Sequence, residues 1–251
     1  MSDFDRNIAA ARTGYRTDQV AIDAGLRAYM IRVYNYMTAG VALTGVVAWF
    51  TYSAAVVETS TGLQLTQFGH AIFQSPLMWL FILAPLGLVM LLSFGINRLS
   101  AGTALTVFFI YAALLGLSLA SIFLVYTHAS ITRVFFISAA TFGATSLYGY
   151  TTQRDLTGLG SFMFMGLIGI IIASLVNIFL RSTGLDWAIS VIGVLVFVGL
   201  TAYDTQSIKE MYDVNDDGSV AGKKAVMGAL RLYLDFINLF LMLLRIFGDR
   251  R

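Results

Sequence analysis

Apolar and polar positions along the chain sort into long apolar blocks joined by short polar ones. A bilayer core about 30 Å thick needs roughly 20 mostly apolar residues per helix. Six blocks meet that length, at about 33–56, 77–97, 104–126, 131–150, 161–180 and 187–208. A seventh, at about 228–247, is apolar but interrupted by Arg231, Asp235, Asn238 and Arg245. Connections are short apart from 57–76 and 209–227, so consecutive helices are expected to pack antiparallel in one bundle. The alternating segments of about ten residues that a membrane barrel requires are not present. Residues 1–29 are polar and basic, with no apolar run ending in a small-residue cleavage site. They read as an interfacial or loosely ordered arm and not as a cleaved signal peptide. The expected fold class is an all-α integral membrane protein, with residues 30–251 as a single polytopic bundle.

Composition narrows the class. Of 251 residues, 58% are hydrophobic and 12% charged, against about 25% charged in an ordinary soluble domain. Mean hydropathy is +0.78. Too few polar side chains exist to cover a water-soluble globule of this size. No cysteine is present, which removes disulfide scaffolds and thiol-ligated metals. With 16 Lys and Arg against 14 Asp and Glu, the net charge of +2 points to no nucleic-acid partner. Orientation follows from where the basic residues fall. Arg6, Arg12, Arg16, Arg27 and Arg32 precede or enter the first span, and the next loop, 57–76, has no Lys or Arg. A cytoplasmic N-terminus puts Arg98, Arg154, Lys209, Lys223 and Lys224 on the same side, and Arg133 and Arg181 outside. A re-entrant seventh segment gives 14 basic residues inside and 2 outside, a full crossing 11 and 5. Both counts favour a cytoplasmic N-terminus and leave the seventh segment open.

Several features read as structural. Gly40 and Gly45, Gly116, Gly143 and Gly149, and Gly166 with Gly169 fit close helix approach. Pro85, in mid-span, is expected to kink the second helix and free a carbonyl. His70 and His128 fall in outer loops and receive no role. The run Asp213-Val214-Asn215-Asp216-Asp217-Gly218 starts like a calcium loop but lacks the 12-residue pattern and its closing glutamate, so it reads as a solvated acidic turn. Zinc-type His spacing, a phosphate loop and a nucleophile elbow are all missing.

Charges inside spans are costly and face the bundle interior or water, so each is a functional candidate. Parity puts Arg98, Asp204 and Asp235 at the cytoplasmic end of the bundle. Asp204 lies five residues before Lys209, about 7 Å deep at 1.5 Å per residue, and Asp235 four residues after Arg231, about 6 Å deep. Two carboxyls at matched depth on consecutive helices can meet and titrate as one unit around a shared proton. Its loss would push the helices apart or admit a cation. Arg98 could neutralise one carboxylate. Arg231, at i−4 from Asp235, competes for that role, and Asn238 at i+3 offers a carbonyl oxygen to a cation. The plainer alternative has Asp204 ending a helix at the interface and Asp235 paired with Arg231.

At these residues a family likeness emerges. Thr201-Ala202-Tyr203-Asp204-Thr205-Gln206-Ser207-Ile208-Lys209, then Leu232-Tyr233-Leu234-Asp235-Phe236-Ile237-Asn238-Leu239-Phe240 and Leu243-Leu244-Arg245, resembles the C-terminal signature of the Bax inhibitor-1 family. These proteins are also called transmembrane BAX-inhibitor-motif proteins. The resemblance implies seven transmembrane helices with the last one central and surrounded by six, and a pH-sensitive calcium leak. It implies that Asp204 and Asp235 form the pH sensor and gate and hold Ca²⁺ transiently, that Arg98 is the latch, and that Tyr203 belongs to the motif. No cofactor is expected beyond Ca²⁺ as the transported ion. The expected partners are the lipid bilayer, Ca²⁺, protons and, for a regulatory role, a membrane protease. Short loops and no lysine-rich tail resemble a bacterial member in the plasma membrane.

Two rival classes remain. Intramembrane aspartyl proteases also carry Tyr-Asp on a sixth helix and a second aspartate on a seventh. Their Gly-x-Gly-Asp is replaced here by Leu232-Tyr233-Leu234-Asp235, and their Pro-Ala-Leu element is missing. A regulatory membrane protein that modulates a protease or stress response is compatible with every residue named.

Overall fold

The computed structural model describes the backbone of residues 3–59 and 62–251, and side chains from Asp23 onward with Glu58 excepted. In chain order the elements are α1 (Asp3–Ala55), a hairpin of β1 (Val56–Thr59) and β2 (Gly62–Leu65), α2 (Gln67–Phe73), α3 (Leu77–Gly95), α4 (Ala101–Leu119), α5 (Ile122–Val125), α6 (His128–Thr151), α7 (Thr157–Leu180), α8 (Thr183–Glu210) and α9 (Gly218–Phe247). Local chemistry sets the helix starts. Ser100, Thr127, Ser182 and Asp217 stand in extended backbone, and their side-chain oxygens accept the N–H three residues on. The tight α7–α8 turn uses Arg181 in the left-handed region at φ +50°. There Asn177 Oδ1 accepts the Ser182 N–H at 2.9 Å.

Six helices are long and apolar enough to cross a membrane: Asp23–Ala55, Leu77–Arg98, Ala101–Val125, Thr157–Leu180, Thr183–Glu210 and Gly218–Phe247. The α6 helix is long enough but carries Arg133 and a series of hydroxyls. Thr132, Ser138, Thr141, Thr145 and Thr151 each donate to the carbonyl four residues back on the same helix, which satisfies them without water.

The central element is α9, with 72% of its apolar window buried against 11% for α3 and 6% for α7. It packs closely against α1, α4, α6 and α8. Of the helices expected around it, these four pack closest, while α3 rests chiefly on α4 and α7 chiefly on α8. Hydroxyls clamp the centre. Thr44 Oγ1 on α1 meets Tyr233 Oη on α9 at 2.6 Å and lies 2.9 Å from the Ala112 carbonyl on α4. Tyr34, Ser146 and Thr205 link α1, α6 and α8 through contacts of 2.5 and 2.9 Å, ending on the Thr201 carbonyl at 2.7 Å.

One end of the bundle gathers the start of α1, the ends of α3, α6 and α8, and the start of α9. Tyr29 meets the Tyr212 ring at 5.7 Å, Lys209 Nζ donates to the Tyr150 carbonyl at 3.0 Å, and Lys223 Nζ to that of Asn97 at 3.4 Å. At the far end Trp49 meets the His128 ring at 5.4 Å, and Arg245 lies 3.5 Å from Asp186 at the start of α8. The thirty residues of α9 connect these ends without a break, about 45 Å at 1.5 Å per residue. The re-entrant alternative for this segment is thereby overturned.

Other expectations need correction. No break falls at residue 29, where α1 continues; the side chains of residues 1–22, most of the expected arm, lie outside the described residues. The loop 57–76 holds a hairpin and a short helix. The third span breaks at Ala120 and Ser121 before α5. Gly116 and Gly149 do seat neighbouring backbone, that of Thr44 and Ala202, but Gly45, Gly143 and Gly169 face open space.

Candidate functional site

Asp204 and Asp235 come together across the α8–α9 interface. Asp235 is 5% exposed and its Oδ2 is buried with no N–H or hydroxyl donor. Its carboxyl is an electrostatic neighbour of the Asp204 carboxyl, and both line one cleft. Two ionised carboxylates brought together in a buried setting repel each other unless a proton or a cation offsets one charge. The arrangement follows from the antiparallel α8–α9 pair, which sets a residue near the end of one helix level with a residue early in the next.

The cation beside the pair is Arg231. Its Nη1 lies 4.0 Å from Asp204 Oδ1, with the arginine side chain 42% exposed and the aspartate 17%. That separation is too long for a hydrogen bond but well inside electrostatic range. Arg231 thus reaches the carboxylate of the neighbouring helix, not the Asp235 that lies one turn along its own. Arg98 makes no ion pair with either aspartate. It sits in the 3-10 turn that closes α3, exposed and in no ion pair among the described residues. Arg98 lies at the same end of the bundle as the aspartates, and the cation within 4.0 Å of Asp204 is Arg231.

A cleft of about 910 Å³ between α7, α8 and α9 reaches both carboxyls, and Tyr203, Arg231 and Asn238 line it. Asn238 donates its amide N–H to the Leu234 carbonyl at 2.8 Å. The Tyr203 ring packs over Gly160 on α7, where a Cβ would enter the ring. Gln206 fixes this corner, accepting the Leu156 N–H and donating to the Arg154 carbonyl, both at 2.8 Å. Sequence reasoning missed Gly160 and Gln206; the cue was Gln206 within the Tyr-Asp motif, one turn before the basic end of α8. Outside the spans, the Thr157 side chain and its backbone N–H, the latter at 2.8 Å, hold the Asp155 carboxyl below the usual range. Among the described residues no group of three or more His, Cys, Asp or Glu is placed to hold a metal ion. Any cation at the pair would draw on two carboxylates, the Asn238 carbonyl and water.

Six apolar helices long enough to cross a bilayer, and a buried acidic pair between two of them, define a multi-pass α-helical membrane protein. The model for the family described as "Inhibitor of apoptosis-promoting Bax1" matches residues 26–251. The inner membrane protein YbhL of Escherichia coli K12 is 54% identical over 231 residues, covering 91% of this chain and 94% of that protein. A protein of Rickettsia prowazekii is 49% identical over 91% of this chain and 92% of its own. One of Caulobacter vibrioides is 42% identical over the full length of both. The chain belongs to the Bax inhibitor-1 family.

Proposed function

We propose that this protein is a non-enzymatic, pH-sensitive Ca²⁺ leak of the plasma membrane, gated by Asp204 and Asp235. The observation that carries the reading is the meeting of the two carboxyls at the foot of a cleft, with Asp235 Oδ2 lacking a donor. In the closed state one proton joins the carboxyls and Arg231 balances the remaining charge. As pH rises the proton leaves, two negative charges face each other, and one guanidinium at 4.0 Å does not offset both. The α8–α9 contact loosens, and Ca²⁺, which takes six to eight oxygens, binds the carboxylates with the Asn238 carbonyl and water. In this reading α6 is the seventh crossing and the N-terminus is cytoplasmic.

The test is Ca²⁺ flux into liposomes between about pH 6 and pH 8. Flux through the wild-type chain should rise with pH. Asp204→Asn and Asp235→Asn, which hold a neutral side chain at all pH, should each flatten that rise. Arg231→Gln should raise the basal leak, whereas Arg98→Ala should leave it unchanged. Wild-type pH dependence in both aspartate variants would remove the sensor. Absence of Ca²⁺ flux at every pH would favour a regulatory protein acting on a membrane protease.

A further inference from the structure

On another side of α9 lies a crevice bounded by α1 and α6. Both helices pack on α9, and a hydrogen bond between the Tyr34 and Ser146 hydroxyls bridges them at 2.5 Å. Two cavities, of about 590 and 390 Å³, run end to end along the crevice and share Val41, Phe135 and Phe236. Their walls are largely apolar. Glycine deepens them: Gly143 lines one and Gly45 the other, and a Cβ at either would meet nothing within 4 Å. Transmembrane glycines ordinarily bring backbones together. These two instead open a channel toward the lipid.

The crevice is polarised by charge. Arg27 lines its wall at the basic end of the bundle, exposed and in no ion pair among the described residues. The far cavity is lined by no Lys or Arg. From Arg27 to Val41 the α1 helix rises about 21 Å at 1.5 Å per residue. That is close to half of a bilayer of about 40–45 Å with its headgroups. A cation at the interface and a near cavity one leaflet deep, from Arg27 to Val41, match the two ends of a phospholipid.

We propose that the α1–α6 crevice seats an acyl chain of one anionic phospholipid from the leaflet at the basic end, with its phosphate on Arg27. The test is native mass spectrometry of the full chain, titrated with phosphatidylglycerol or phosphatidylcholine of equal chain length. One phosphatidylglycerol should bind per chain, about five-fold more tightly than phosphatidylcholine, as expected for one basic residue at an anionic surface. Arg27→Gln should erase the preference, and Gly143→Leu should remove both adducts with helical circular dichroism unchanged. Phosphatidylglycerol carrying a photoreactive acyl chain should label wild-type peptides from α1 and α6. That labelling decides the matter should Gly143→Leu fail to fold. Equal binding of the two lipids, an adduct that survives Gly143→Leu, or labelling no stronger than on the exposed faces of α3 and α7 would overturn the proposal. So would a wild-type dimer that Gly143→Leu dissolves, because the crevice would then belong to a second copy.

Discussion

Two polar side chains two residues apart on α9, Tyr233 and Asp235, are both buried and live by different rules. The hydroxyl of Tyr233 is matched by Thr44, whereas Asp235 Oδ2 has no donor. The matched pair makes an asymmetric prediction. Tyr233→Phe removes one hydrogen bond and leaves Thr44 bonded to the Ala112 carbonyl, so it should cost about 1 kcal/mol. Thr44→Val removes the same bond but strands the Tyr233 hydroxyl, adding a desolvation cost of about 1–3 kcal/mol. Unfolding in detergent should rank Thr44→Val as clearly the more damaging; equal effects would mean that Tyr233 finds another partner. At this scale the sequence was legible where helix parity decided the answer. Asp204 and Asp235 could be set at one level by counting residues from Lys209 and Arg231. Which carboxyl Arg231 faces depends on how α8 is rotated about its axis, and no spacing within α9 reports that. For the same reason Arg98 could be assigned its end of the bundle but not its distance from the pair.

Proline in the middle of α3 shows how one helix depends on another. Pro85 has no N–H, so the Phe81 carbonyl loses its helical partner. The Ser118 hydroxyl of α4 donates to that carbonyl, so the defect in one element is repaired by the next. Ser118→Ala should therefore cost about 1–3 kcal/mol, the usual range for a buried polar group left unpaired. In a Pro85→Ala background, where residue 85 again has an N–H, it should cost less than about 0.5 kcal/mol. Additive effects in this cycle, read from thermal unfolding, would show that the two residues do not communicate. The freed carbonyl could be anticipated from Pro85 alone; its donor, 37 residues away, could not. Hydropathy sets four helix starts three to ten residues late, at about 104, 131, 187 and 228, because it follows apolar runs and not the local caps Ser100, Thr127, Ser182 and Asp217. The break before α5 was hidden, since Ala120 and Ser121 sit in an apolar run that hydropathy reads as one span.

Position in the bundle explains why hydropathy left the last segment undecided. Arg231, Asp235 and Asn238 would be expensive against lipid, but α9 is surrounded largely by protein, where such residues can find partners. The span whose sequence looked most compromised is thus the most buried one, and α7, uniformly apolar, is among the least. Because α9 crosses without reversal, the tail emerges at the far end, and contacts there hold it. Asp249 accepts the Thr127 N–H and pairs with Arg133, both at 3.0 Å, and the Arg251 N–H reaches the Val125 carbonyl at 2.9 Å. The expectation is then that the two termini lie on opposite sides of the membrane, although a hairpin would have satisfied the distribution of basic residues better. Fusing a reporter active only outside the cytoplasm after Arg251, and separately before Met1, tests this in intact cells. Activity should follow the C-terminal fusion alone; activity in neither fusion, or in both, would place the termini together and show that the chain crosses an even number of times.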